Sequence, residues 1–384
     1  MNNYYLDNAA TTKPKQEIID ATMPYLVGDK WYNPSSLYGK AVDVKNDLDK
    51  ARKTVADSIN AEPNEIYFTS CGSESNCWAI QGFVKDVKKK GRTPVIITSR
   101  IEHKSIMSCV DDMELLGATV VKVPVDMCGF IDVQYLENCL HTLKNRDILV
   151  SIQYANNECG AIQDIERISK IVDEYGAVFH VDAVQAFGQV DIDVNKLGID
   201  MMSVSGHKLG CPKGIGLLYK RDGVDIAPLI YGSQMDGMRG GTENIPYIMG
   251  LAKAVEIAKY NLDKHCMFSV ADVRDYLIRE LEDIGCQLIG PRKYRLPNNV
   301  CTMFPKGYGG EELLYMCDIG GIKVSTGSAC NSHSKEPSYV MKALGLTDEE
   351  ANRVVRFTIS SDISFNDVNK IVKEIERCMK IMRG

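Results

Sequence analysis

The chain has 384 residues, of which 45% are hydrophobic and 25% charged, and its formal net charge is −6. That balance suits a soluble globular protein long enough to bury a sizeable core. It offers no net positive field to draw in nucleic acid or a membrane surface. The 13 cysteines are scattered from Cys71 to Cys378 without a CxxC pair, so the common zinc and iron–sulfur spacings are not written. The opening MNNYYLDNAATTKPK lacks the apolar core of a secretion signal. No stretch approaches the ~20 apolar residues of a membrane span. The expectation is a cytoplasmic chain with mostly free thiols.

In chain order, EIYFTS (65–70), PVIITS (94–99), TVVKVPV (119–125), ILVSIQYA (148–155) and VFHVDAV (178–184) read as buried strands. Between them ESNCWAIQGFVKDVKKK, HKSIMSCVDDMELLG, DVQYLENCLHTLK and DIERISKIVDEYG carry apolar residues three and four apart, as one-sided helices do. Two of these patterns stop at Gly117 and Gly176. The alternation predicts a largely parallel sheet covered on both faces. After residue 200, DMMSVSG and GIGLLYKR follow each other without a helix and read as adjacent strands. TENIPYIMGLAKAVEIAKYNL reads as one long helix, and from about 270 strands and helices mix up to a closing helix DVNKIVKEIERCMKIM. Open parallel sheets bind ligands at the carboxyl ends of their strands. Residues with chemistry are therefore expected just after strands.

SGHKLGCPKGIG (205–216) places Lys208 after a short apolar strand, behind Ser205 and His207, among glycines that let another group approach the backbone. A lysine whose amine is held by burial or cationic neighbours can condense with an aldehyde; a turn lysine on the surface is the plainer alternative. In HVDAVQA (180–186), Asp182 lies inside an apolar strand, where a carboxylate needs a partner, either a pyridinium nitrogen or a structural cation. Gln185 follows at the strand end. TSCGSESN (69–76) joins strand to helix at Gly72 and Ser73, which suits an anion site or a plain helix cap with Ser73 three before Asn76. YANNECG (154–160) puts Asn156, Asn157 and Glu158 after a strand, and IEHKSI puts His103 at a helix start, as a stacking or proton-moving ring or simply a cap. KVSTGSACNSHSKEPSYV (323–340) surrounds Cys330 with small residues, the setting of an accessible, ionisable thiol. Cys330 and His333 have ligand-like spacing, yet one pair cannot fill a tetrahedral metal site. Arg356, in VVRFTIS, needs a carboxylate for its fork.

With these residues in hand, the chain resembles the cysteine desulfurases, within the class V aminotransferase group of fold-type I pyridoxal-phosphate (PLP) enzymes. YLDNAATT, NPSS at 33–36, FTSCGSESN, IEHKSI, ANNECGAIQDI, FHVDAVQAFG, SGHKLGCPKGIG, RGGTENIP, STGSACNS and EPSYVMKALG carry the resemblance from end to end. It implies an α/β fold: a large PLP-binding domain (13–260) with a mainly parallel sheet, and a smaller α+β domain (1–12 with 261–384) bearing the cysteine loop. It also implies roles. Lys208 carries the cofactor; Gly72, Ser73, Ser205 and His207 contact its phosphate; Thr242 reaches a phosphate across the boundary of a homodimer. His103 stacks on the ring, and Asp182 and Gln185 meet the ring nitrogen and phenolic oxygen. Asn157, Arg356 and Asn33 position substrate, and Cys330 accepts sulfur.

The implied reaction converts L-cysteine to L-alanine. Sulfur leaves as a persulfide on Cys330 for an acceptor protein, such as an iron–sulfur scaffold. The alternatives are a selenocysteine lyase or class V aminotransferase on the same scaffold, a cofactor-free thiol hydrolase using Cys330 and His333, and a non-catalytic assembly scaffold. The chain departs from the family at Cys71 and Cys211, where glycine is usual, at Ser73, where threonine is usual, and at Tyr38, where histidine is frequent. A cysteine for glycine is strained wherever the backbone requires positive φ.

Overall fold

The computed structural model describes residues 3–327 and 336–383, so Cys330 and His333 lie outside the described residues. Its centre is a seven-stranded sheet. The strands are β2 (Ile66–Thr69), β3 (Pro94–Ser99), β4 (Thr119–Val123), β5 (Asp147–Gln153), β6 (Val178–Asp182), β7 (Met201–Ser205) and β8 (Gly216–Lys220), and they follow β1 (Tyr4–Tyr5). The spatial order is β2-β8-β7-β6-β5-β3-β4. All neighbours are parallel except β8, which runs against both β2 and β7. The antiparallel turn from β7 into β8 is the adjacent pair expected from two apolar runs without a helix between them. β4 stops at Val123 rather than 125 because Pro124 has no N–H to give a ladder.

Apart from the edge strand β4, the strands are largely buried on both faces. One face packs Val150, Ile152, Phe179, Val181 and Val204 against α1 (Gln16–Leu26), α2 (Gly39–Ser58) and the helix Ile245–Asp263. The other packs Leu149, Met201 and Leu218 against Trp78 and Phe83 of α3 (Gly72–Lys89) and Val110 of α4 (Lys104–Leu115). Burying each such side chain contributes roughly 1.5–3 kcal/mol. Because strand side chains alternate, Ser151, His180 and Ser203 share the α3/α4 side, just below the strand ends. His180 bridges Ser151 and Ser203 at 2.9 Å on each ring nitrogen, and burial pushes its pKa down to about 3. The ring is therefore a neutral pin across β5, β6 and β7.

Beyond residue 264 a three-stranded antiparallel sheet joins β9 (Gln287–Leu288), β10 (Asn299–Met303) and β12 (Val354–Thr358), while β11 (Ile322–Lys323) pairs in parallel with β1. Leu6 is buried with Val270, Leu277, Phe304, Phe357, Ile371 and Ile375, so the amino-terminal strand shares its core with the last third of the chain. The helix expected from 242 begins at Ile245, with Pro246 in its first turn, where a missing N–H costs nothing. Among the described residues, no helix is long and apolar enough to cross a membrane.

Candidate active site

The carboxyl ends of β2, β5, β6 and β7 open into one cleft of about 190 Å³. Gly72, Ser73, His103, Asn157, Asp182, Gln185, Ser205, His207, Lys208 and Arg356 all line it. Ten of the residues singled out in the sequence thus converge from six separate stretches of chain.

Lys208 ends the tight turn Gly206–Lys208 after β7, and its Nζ donates to the carbonyls of Ala9 (2.5 Å) and Ala10 (2.7 Å). His207 Nδ1 meets Thr11 Oγ1 at 3.1 Å, while its own carbonyl accepts from Thr12 N and Oγ1. Burial, helped by Lys208 and Lys213, pushes the His207 imidazole down to about 4, so the ring is neutral at pH 7. Gln185 Nε2 donates to the Ala9 carbonyl at 3.1 Å.

Asp182, at the end of β6, accepts from Asn76 Nδ2 at 2.7 Å and from Val184 N at 3.0 Å. His103 is a cap that also faces the cleft. It caps α4, its Nδ1 accepting from Ser105 N, and its ring lines the cleft. Burial lowers its pKa, Asp182 pulls the other way, and Lys208 adds to the lowering.

α3 starts at Gly72, which makes Ser73 an internal first-turn residue and corrects the plain-cap reading; Cys71 is the cap position and makes no side-chain cap bond. A Cβ at position 72 would sit 2.7 Å from Val184 Cγ2 and 3.2 Å from Ser205 Cβ, so glycine keeps this cradle open. The strain expected for the two cysteines is absent. Cys71 has φ −172°, extended backbone open to any residue, and Cys211 is buried without positive φ, while its neighbour Gly210 takes φ +87°.

Arg356, on β12, is 1% exposed. Its Nη2 pairs with Asp7 at 2.6 Å and its Nη1 donates to the Asn157 carbonyl at 2.9 Å. Its Nε is buried with no hydrogen-bond partner among the described residues. Asn156 aims Asn157 into the cleft: its Oδ1 accepts from Glu158 N and Cys159 N, and its Nδ2 donates to Ile101 O. Burial raises the Glu158 pKa, against the lowering influence of Ser338 and Arg356.

Asn33 and Thr242 are exposed and do not line this cleft. The residues that sequence reading missed are Asp7, Ala9, Ala10, Thr11 and Thr12 of the amino-terminal segment, and Asn76 and Ser105 on the two helices. YLDNAATT was noticed, but its contribution runs mostly through main-chain carbonyls, which no side-chain pattern reveals.

At the end of the sheet, then, a turn lysine, a strand carboxylate and a glycine-opened helix start all face one cleft. The family model described as aminotransferase class-V matches residues 4–371. A cysteine desulfurase IscS from Dictyoglomus turgidum is 41% identical over 382 residues, covering 99% of this chain and 95% of that protein. One from Methanosarcina thermophila is also 41% identical, covering 99% and 93%. Among solved structures, a NifS-like protein superimposes with a TM-score of 0.91 at 33% identity, covering 99% of this chain and all of the other. A protein described as SspA in complex with cysteine gives 0.80 at 32%, covering 93% and 98%. The chain belongs to the class-V aminotransferase family and, within it, to the PLP-dependent cysteine desulfurases.

Proposed function

We propose that this chain removes sulfur from free L-cysteine, leaving L-alanine, with Cys330 as the sulfur acceptor. The observation that carries the reading is the convergence of Lys208, Asp182, His103, Gln185 and Arg356 on one cleft. The residues present fit PLP. The opening at Gly72 and the hydroxyls of Ser73 and Ser205, at the start of the 18-residue α3, suit a phosphate. Asp182, a carboxylate in the cleft wall at the end of β6, suits a protonated ring nitrogen, and Lys208 suits the aldehyde. When bound, the group supplies an electron sink for a carbanion at the substrate Cα.

The chain's own residues do the rest. Arg356, with its buried Nε unsatisfied, receives the substrate carboxylate. Asn157, held by Asn156, and Gln185 orient what lies above the sheet. The Lys208 amine, between two carbonyls that hold it in place, would take the Cα proton of bound substrate. The Cys330 thiolate attacks the substrate sulfur. The C–S bond breaks, an S–S bond forms, and protons returned to the carbon skeleton complete alanine. Overall, cysteine and a thiol give alanine and a persulfide.

The sulfur then passes to an acceptor protein, such as an iron–sulfur scaffold, in the cytoplasm. The working form is a homodimer of chains divided at 13–260 and 1–12 with 261–384. Two exposed apolar stretches support the dimer. Val27, Trp31, Leu37 and Tyr38 flank Asn33, and Ile230 and Tyr231 precede Thr242; a partner subunit would cover the first and bring the second to a site.

The test is product analysis. Purified protein supplied with PLP should release alanine and, with reductant, sulfide from cysteine. Cys330→Ala should keep the change in visible absorbance on adding cysteine but form no persulfide. Keto-acid-dependent transamination without sulfide, or undiminished sulfide from Cys330→Ala, would overturn the reading.

A further inference from the structure

Along the wall of the cleft runs a hydrogen-bonded chain whose links the roles above do not use. Asn76 Nδ2 is 2.7 Å from Asp182 Oδ2 and 2.9 Å from Ser105 Oγ. Ser105 Oγ is 2.8 Å from His103 Nδ1, and Ser105 N donates to the same Nδ1 at 3.1 Å. The polarity of this chain follows from what each group can do. An ionised carboxylate only accepts. Asn76 must therefore turn its NH₂ toward Asp182, and the second hydrogen of that NH₂ goes to Ser105 Oγ. With Oγ already accepting, its own hydrogen points on to His103 Nδ1. The backbone N–H of Ser105 can only donate, and it too points at Nδ1. Both donors require an unprotonated Nδ1, so the neutral ring carries its hydrogen on Nε2.

We propose that Asn76 and Ser105 are positioning residues that carry the acceptor character of Asp182 to His103, fixing its imidazole as the Nε2–H tautomer. In that state the ring offers a donor at Nε2. It has no basic nitrogen open to a substrate, since taking a proton at Nδ1 would sever two hydrogen bonds. His103 thus faces the site as a neutral ring whose hydrogen is held at Nε2. The partial burial of the ring, which disfavours imidazolium, agrees with this. So does the orientation of Asn76: its Oδ1 is left buried without a partner among the described residues, which is tolerated because the reversed amide would set oxygen against carboxylate.

The inference rests on the assignment of this cleft as the cofactor site, but its test does not read activity alone. Histidine-labelled holoenzyme is examined by nitrogen NMR, with the His103 signals assigned by their loss in His103→Gln. Wild type should show a pyridine-like, hydrogen-bonded Nδ1 and a protonated Nε2. Ser105→Ala and Asn76→Ala should each shift the tautomer ratio roughly five- to tenfold toward Nδ1–H, the weight of one net hydrogen bond. Ser105→Thr, which keeps the hydroxyl, should restore it. kcat should fall with the Nε2–H population in the same order while KM for cysteine stays near wild type. A protonated Nδ1 in the wild type, or a ratio unmoved in both alanine variants, would overturn the relay. A wild type with the expected nitrogens but no desulfuration would instead leave the relay standing and sink the proposed function.

Discussion

The cleft has two walls of unlike origin. One is the sheet wall, where Asp182, Ser205 and Lys208 sit at or just past the ends of adjacent buried strands. The other is a strap, residues 7–12, which crosses from the core around β10 and β12 to the turn after β7. The sheet wall acts through side chains whose identity states their chemistry. The strap acts through two carbonyls on Lys208, one of which also accepts from Gln185, a hydroxyl on His207 and one carboxylate on Arg356. On the proposed function, the sheet wall supplies the reacting groups and the strap decides where they point.

Substitutions can separate the two. The largest effect belongs to the sheet wall. Lys208→Ala should lower kcat by on the order of 10³-fold or more and abolish borohydride-fixed labelling at position 208, as measured by peptide mapping. Retained turnover would make the sheet wall the wrong place for the chemistry. Next comes the strap's carboxylate. Asp7→Ala leaves a buried guanidinium without its anion, so it should cost about 2–3 kcal/mol in denaturant unfolding and raise KM for cysteine several-fold while kcat changes less. If kcat alone fell, the strap would be part of the chemistry rather than of its alignment.

Glu102, behind the sheet wall, is fully buried and accepts from Ser99 Oγ and Gln153 N. Burial, with Asp182 adding to it, holds its carboxyl well above the ordinary value of 4.5, although the hydrogen bonds work against this. Between 4.5 and that raised value the folded state binds the extra proton. Its contribution to stability is therefore present at low pH and lost as pH rises through that window. Glu102→Gln should flatten this part of the stability–pH curve, as followed by thermal melts; an unchanged curve would locate the dependence elsewhere. The smallest expected effect is Thr12→Val, which removes hydroxyl bonds to His207 O (2.7 Å) and Gly210 N (2.8 Å). About 1–2 kcal/mol of stability should be lost, with cofactor binding weakened only slightly.

How far the sequence could be read follows the same divide. The alternation of apolar runs and one-sided helices exposed the parallel sheet, and strand ends pointed to Asp182 and Lys208. The family motifs supplied Gln185 and His207. Helices α1, α2 and Cys266–Asp283 were not assigned from periodicity. Burial on α2 is a narrow strip of Val44, Leu48, Ala51 and Val55 among charges, which mutes its pattern. Asn76 and Ser105 look like ordinary helix residues, since only the fold brings them within 2.9 Å of each other. Asp7 and Arg356 are 349 positions apart, and no local spacing could pair them. The expected sequence position of His103 was right, but its double use as cap and cleft wall needed coordinates.

The strap also imposes an order on biosynthesis. Residue 7 emerges from the ribosome early, yet its anchors, the guanidinium of Arg356 and the carbonyl of Thr358 that receives Asn8, emerge among the last. Closing so long a loop must wait until nearly the whole polypeptide exists. A chain cut short before β12 therefore lacks both of these anchors for the strap that meets Lys208 at Ala9 and Ala10.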